Sequence, residues 1–168
     1  IAMGMSVIPV FMLAGSLNLG EVIRYQEGTL LGVLPNWLVL KQPLAFVIFL
    51  VAAFAETNRL PFDLPESETE LVGGYHTEYS SMKFALFFMG EYANIVIGAC
   101  LTTILFLGGW DCPFGLLPGV WWFIVKIYIL IFTFIWIRWT FPRTTIYSLL
   151  NLSWKILIPI SLFNLLLT

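Results

Sequence analysis

The 168-residue chain is 60% hydrophobic and 11% charged, with a formal net charge of −2 and a mean hydropathy of +0.92. Ordinary globular domains carry about 25% charged residues, so this composition belongs to a membrane protein rather than a soluble one with a large core. With no basic run and only Cys100 and Cys112 as thiols, it shows no phosphate-tracking surface, disulfide framework, zinc site or iron–sulfur ligand set.

A helix needs about 20 mostly apolar residues to cross the hydrocarbon core. On that measure we expect an all-α polytopic bundle, one integral membrane domain over 1–168, with about five spans. The first runs over 1–19 and is followed by the polar linker GEVIRYQEG. It starts apolar, with neither a signal-peptide pattern nor a polar flank. The expectation is therefore the later part of a longer membrane domain, or one piece of a divided one. The second span is expected over 37–55, with Lys41 and Pro43 near its start. The third covers 82–107, with Lys83 at its edge and Glu91 inside. The fourth and fifth cover 119–141 and 148–168. Arg59 and Lys83 after span two, and Arg138 and Arg143 after span four, put those connections on the cytoplasmic or matrix side. Trp37, Trp110, Trp121, Trp122 and Trp139 lie near span ends and suit interfacial anchoring.

The segment AETNRLPFDLPESETELVGGYHTEY, residues 55–79, departs from this pattern. It holds Glu56, Asp63, Glu66, Glu68, Glu70 and Glu78, six of the ten carboxylates of the chain, beside a single cation, Arg59. Pro65 at a first turn, the Ser67–Glu70 capping-box spacing and the Gly73–Gly74 stop predict a short helix in an acidic loop. A solvated acidic turn would carry the same residues. His76, the one histidine, reads as a polar loop residue and not as a metal ligand.

Glu91 is harder to treat as solvation. It lies about a dozen residues into the third span, roughly 15–18 Å along the helix. A carboxylate in that setting costs about 2.5–3.5 kcal/mol on insertion scales and must find a partner, water or a proton. With Glu56 at the end of span two, the acids form a line leading inward from the aqueous face. Their mutual repulsion would couple their titrations.

The string AETNRLPFDLPESETELVGGYHTEYSSMKFALFFMGEYANI resembles the signature region of subunit 1 of NADH–quinone oxidoreductase (respiratory complex I), which bacteria call the H subunit. TILFLGGW, FPR and the later WK and PISL also resemble that family. After FPR the chain departs from it, with Thr145 and Tyr147 where relatives carry Arg and Asp, and His76 stands where many have Asn. The resemblance implies an eight-helix subunit forming much of the quinone chamber, of which this chain is the last five helices. It implies proton-coupling roles for Glu56 and Glu91 and an acidic opening lined by Glu66, Glu68, Glu70 and Glu78. Arg59, Phe62 and Asp63 would approach the quinone. Ubiquinone is then a substrate, while flavin, iron–sulfur clusters and metals belong to partner subunits. The partners include the other membrane and quinone-module subunits and a separate polypeptide or segment carrying the first three helices. The richness in Ile, Leu and Phe suggests a mitochondrial genome, and hence the mitochondrial inner membrane rather than a bacterial plasma membrane.

Two other functions fit the residues. An ion-translocating subunit of a related hydrogenase or antiporter assembly would need the same acids without a quinone. Binding of a quinone-site inhibitor beside 56–79 separates the two. A structural adaptor with idle acids is the third, and the cost of an unused Glu91 weighs against it.

Overall fold

The computed structural model describes residues 1–30, 34–57, 61–62, 82–112 and 119–168. The acidic loop and its expected short helix lie outside those residues, and so do Arg59, Asp63, Glu66, Glu68, Glu70, His76 and Glu78.

The described residues form helices and their connections, apart from a two-residue antiparallel ladder pairing Thr29–Leu30 (β1) with Leu34–Pro35 (β2). The first expected span is broken. Helix α1, Ala2–Ala14, stops where Gly15 takes the left-handed conformation (φ 67°) and returns its N–H to the Phe11 carbonyl. Only glycine adopts that cap without strain. Asn18 then caps α2, Leu19–Gln26, by accepting the Gly20 N–H at 3.0 Å. The two helices meet at 63°. Helix α2 is amphipathic, burying Val22, Ile23 and Gln26 while Glu21 and Arg24 face outward.

The second expected span is also divided. A single turn, α3 (Leu38–Lys41), is separated by Gln42 from α4 (Pro43–Glu56). A residue before proline is pushed out of the helical region, and Gln42 accordingly sits at φ −129°, ψ 60°. With 14 residues, α4 is about 21 Å long, short of the ~30 Å hydrocarbon core.

The remaining three spans form close to their expected limits: α5 is Met82–Phe106, α6 is Val120–Thr140 and α7 is Ile146–Leu167. Among the described residues three helices are therefore long and apolar enough to cross a membrane, or four if the bent α1–α2 pair counts as one. Five spans were expected; local caps and a proline interrupt two of the apolar runs, and α4 is an apolar helix below spanning length. Helix α7 widens into a π stretch over Leu152–Leu157. Pro159, two residues on, lacks an N–H and crowds the carbonyl four residues back, which favours such a widening.

Two apolar clusters fix the packing. At one end Val10, Val22, Leu38, Ala45, Phe49, Leu105 and Phe106 join α1 to α5. At the other, Ala53 and Phe54 of α4 pack on Phe62 and on Phe134 of α6. The Phe54 and Phe134 rings stack 4.0 Å apart. Helices α5 and α6 run antiparallel, and tryptophans mark both ends of α6. Trp121 is 81% and Trp139 83% exposed, and the 18-residue step from one to the other spans about 27 Å of helix. That separation matches two interfacial belts.

Candidate functional site

Ionisable side chains collect at both ends of the bundle, with carboxylates at one and a buried ammonium at the other. At the carboxylate end, Glu56 is the last residue of α4 and is exposed. It borders a cavity of about 280 Å³ whose walls include Met3 of α1, Ala52 and Ala55 of α4, and Ser153 and Trp154 of the π stretch. The widened turn of α7 thus forms one wall of the space that Glu56 faces. Widened turns of this kind recur at functional sites.

Glu91 is half-buried on α5 and engaged with a neighbour. The next residue, Tyr92, borders a different cavity, shared with Arg138 in the last turn of α6. Glu91 therefore lies near the level at which α6 ends. The residues of α5 before it continue about 13 Å further. Its depth in the bundle is read from that level rather than from the distance to Met82.

Phe62, expected in the quinone-facing loop, is 7% exposed and fills the apolar cluster with Phe54 and Phe134. The preceding carbonyl, of Pro61, accepts both the N–H and the hydroxyl of Thr144, at 3.0 and 2.9 Å. The chain after α4 is thereby tied to the segment leaving α6. The structure brings Phe62 to Phe134 of α6 and sets Glu56 beside α1 and the π stretch of α7. The other loop residues assigned by resemblance fall outside the described segments.

The ammonium end went unnoticed in the sequence. Lys126 lies five residues past Trp121, about 7–8 Å inside the tryptophan belt. It is 7% exposed. Its Nζ donates to the carbonyls of Leu107 (2.6 Å), Gly109 (3.0 Å) and Asp111 (2.6 Å), which uses all three of its N–H bonds. The Trp37 ring lies 4.5 Å from the same nitrogen, within cation–π range. The last carbonyls of a helix lack intrahelical partners and form the negative end of its dipole. Lys126 sets its charge at that negative end of α5 and supplies donors to the turn that follows the helix.

Gln26 holds the same turn from the other side. It is fully buried, and its Oε1 accepts the N–H groups of Gly108 (2.9 Å) and Leu38 (3.2 Å). Its Nε2 reaches the carbonyls of Ile104, Leu105 and Val22 at 3.1–3.3 Å. Gly108 has φ +71°, and a Cβ there would lie 2.8 Å from the Trp37 ring. The turn is thus restricted to glycine by both conformation and contact. The clue to Lys126 was present in VWWFIVKIYILIF: one cation in an apolar run, as conspicuous as Glu91 in its own. No signal of comparable strength marked Gln26, whose partners at the end of α5 and in the turn after it are 78–82 residues away.

Among the described residues no group of His, Cys, Asp and Glu is arranged to hold a metal ion. The sequence matches the NADH dehydrogenase family model over residues 1–168. The H subunit of the NADH-quinone oxidoreductase of Desulfotalea psychrophila is 66% identical across the whole chain, which covers 52% of that protein. The corresponding H subunits of Geobacter metallireducens (the second of its kind there) and Thermomicrobium roseum are 51% and 50% identical, with 46% and 50% of their lengths covered. The chain spans about half the length of these curated relatives. All three come from bacteria, which corrects the mitochondrial expectation. A high content of Ile, Leu and Phe is what any lipid-facing helix requires, so it carries no information about the genome. With the match running from the first residue to the last, and with AETNR, PFDLPE and GEYAN inside it, the chain belongs to the NADH dehydrogenase family.

Proposed function

We propose that the chain is part of the H-type membrane component of a proton-translocating NADH–quinone oxidoreductase, seated in a bacterial plasma membrane. The observation that carries this reading is the 66% identity, over every residue, to a protein named as such a component. In this reading the 55–79 segment and its neighbours form one wall of the quinone chamber, and Arg59 and Asp63 approach the quinone while Phe62 anchors the segment in the cluster with Phe54 and Phe134. Electrons reach the quinone, a ubiquinone-class substrate, from partner subunits that carry flavin and iron–sulfur clusters.

The acids then couple reduction to proton movement. A quinone reduced by two electrons takes up two protons, so the local charge changes beside Glu66, Glu68, Glu70 and Glu78. Repulsion among carboxylates passes that change to Glu56 and Glu91 as altered proton affinity. The cavity beside Glu56 gives water or quinone a place to meet the first of them. The names of the relatives favour a quinone over the hydrogenase or antiporter alternative.

Two substitutions in the full-length protein test this. Glu91→Gln keeps shape and hydrogen bonding and removes only the titratable proton. Assembly should remain normal while quinone reduction and proton pumping fall roughly ten-fold or more, the scale of a lost proton-transfer group. Wild-type rates in both assays would remove Glu91 from the pathway. Arg59→Ala takes the one cation from among six acids. It should depress quinone reduction several-fold while NADH oxidation by artificial acceptors continues. Equal loss of both activities would mean failed assembly instead.

A further inference from the structure

We infer that the cleft between α5 and α6 is a binding site for an anionic phospholipid, with its phosphate at Arg138 and an acyl chain running inward between the helices. The cleft has a volume of about 130 Å³, similar to the ~150 Å³ apolar cavities that admit benzene. Its α5 wall is Tyr92, Ile95 and Val96, and its α6 wall is Ile131 and Ile135. Phe134, held against Phe54 by the 4.0 Å stack, forms a rigid floor. Apart from the Tyr92 hydroxyl, the guanidinium of Arg138 is the polar element of this lining.

The position of Arg138 selects the ligand. It is half-buried in the last turn of α6, beside Trp139, which marks the boundary of the hydrocarbon layer. An arginine at that depth lies level with lipid phosphates and not with acyl chains. A planar guanidinium donates two parallel hydrogen bonds to phosphate oxygens. Lys83 lies exposed at the same end of the α5–α6 pair and Glu91 one residue before Tyr92, so the field at the headgroup is set by the Arg138 guanidinium in the cleft itself. A zwitterionic lipid gains less there, because its own amine opposes the field. Basic pockets between membrane helices are recognised sites for anionic headgroups. A bulk lipid would touch one helix face, whereas this chain would be held on both sides.

The test uses the full-length protein in its native membrane assembly. The probes are phosphatidylglycerol and phosphatidylcholine carrying the same diazirine-labelled acyl chain. Peptides from residues 92–96 and 131–135 should be labelled about five-fold more by the anionic lipid, the preference expected of one basic residue at an anionic surface. Arg138→Gln should reduce that ratio to about one, and Arg138→Lys should retain part of it. Val96→Trp, which fills the cleft, should abolish labelling by both lipids. Equal labelling of wild-type protein by the two lipids would overturn the proposal, as would full preference in Arg138→Gln. A cleft that is unlabelled because another protein covers it, or one cleared by excess quinone, would also overturn it. The comparison of the two lipids on wild-type protein stands even if a variant fails to accumulate.

Discussion

Lys126→Met should cost the protein about 3–5 kcal/mol, enough to remove most folded material from the membrane. The side chains are similar in length and the apolar stem is retained, so the change isolates the ammonium. What remains is a partly buried turn whose Leu107, Gly109 and Asp111 carbonyls lose their donor. Each such orphan costs roughly 1–3 kcal/mol, and the contact with Trp37 is lost as well. Lys126→Arg should recover only part, since a flat fork cannot aim three donors at three converging oxygens. Blue-native electrophoresis of membranes, with protease protection of the turn as second readout, gives the measurement. Normal assembly of the Met variant would show that the carbonyls find other donors.

The second large effect is expected at Gln26→Leu, at about 2–4 kcal/mol. Leucine fills nearly the same volume, so packing changes little. The loss is polar: the N–H groups of Leu38 and Gly108 lose their acceptor, and the Ile104 and Leu105 carbonyls lose their donor. Gln26→Glu should be worse than Leu, because a carboxylate cannot donate to those carbonyls. The double variant with Lys126→Met should lose less than the sum of the two single losses. Once either side chain is gone, the turn at 107–111 is already free, and coupled sites are not additive. Thermal inactivation of the solubilised protein measures all three variants. Strict additivity would mean that the two side chains hold separate structures.

How much of this the sequence revealed depended on the range of the interaction. Helices α5 and α6 formed within a residue or so of their expected ends, because uninterrupted apolar length is a local property. The first two expected spans are interrupted where local chemistry outweighs apolar length. Gly15 and Asn18 are a helix stop and a helix start in adjacent turns, and Pro43 begins a helix more readily than it continues one. Glu56 and Glu91 were visible as charges out of place, and so was the family. The burial of Phe62 was not, because its place in the cluster depends on Phe134, far along the chain. Gln26 sat in a stretch read as a polar linker, and nothing local distinguishes a solvated amide from one bonded to a distant helix.

The cage around Lys126 also bears on how the chain is made. Alone, α6 would enter the bilayer with an unpaired ammonium near the start of its apolar run, at a cost of about 2.5–3.5 kcal/mol. Its three acceptors precede it by only 15–19 residues. Trp37 and Gln26 are translated earlier still. The partners of the charge are thus already out of the ribosome when the lysine emerges. Helices α5 and α6 can then enter the membrane together as a hairpin, with the charge neutralised by the bend that joins them. A stop placed after α5 would leave that bend with bare carbonyls, and a ribosome initiating at α6 would deliver a bare cation. Only the pair is a viable unit of insertion.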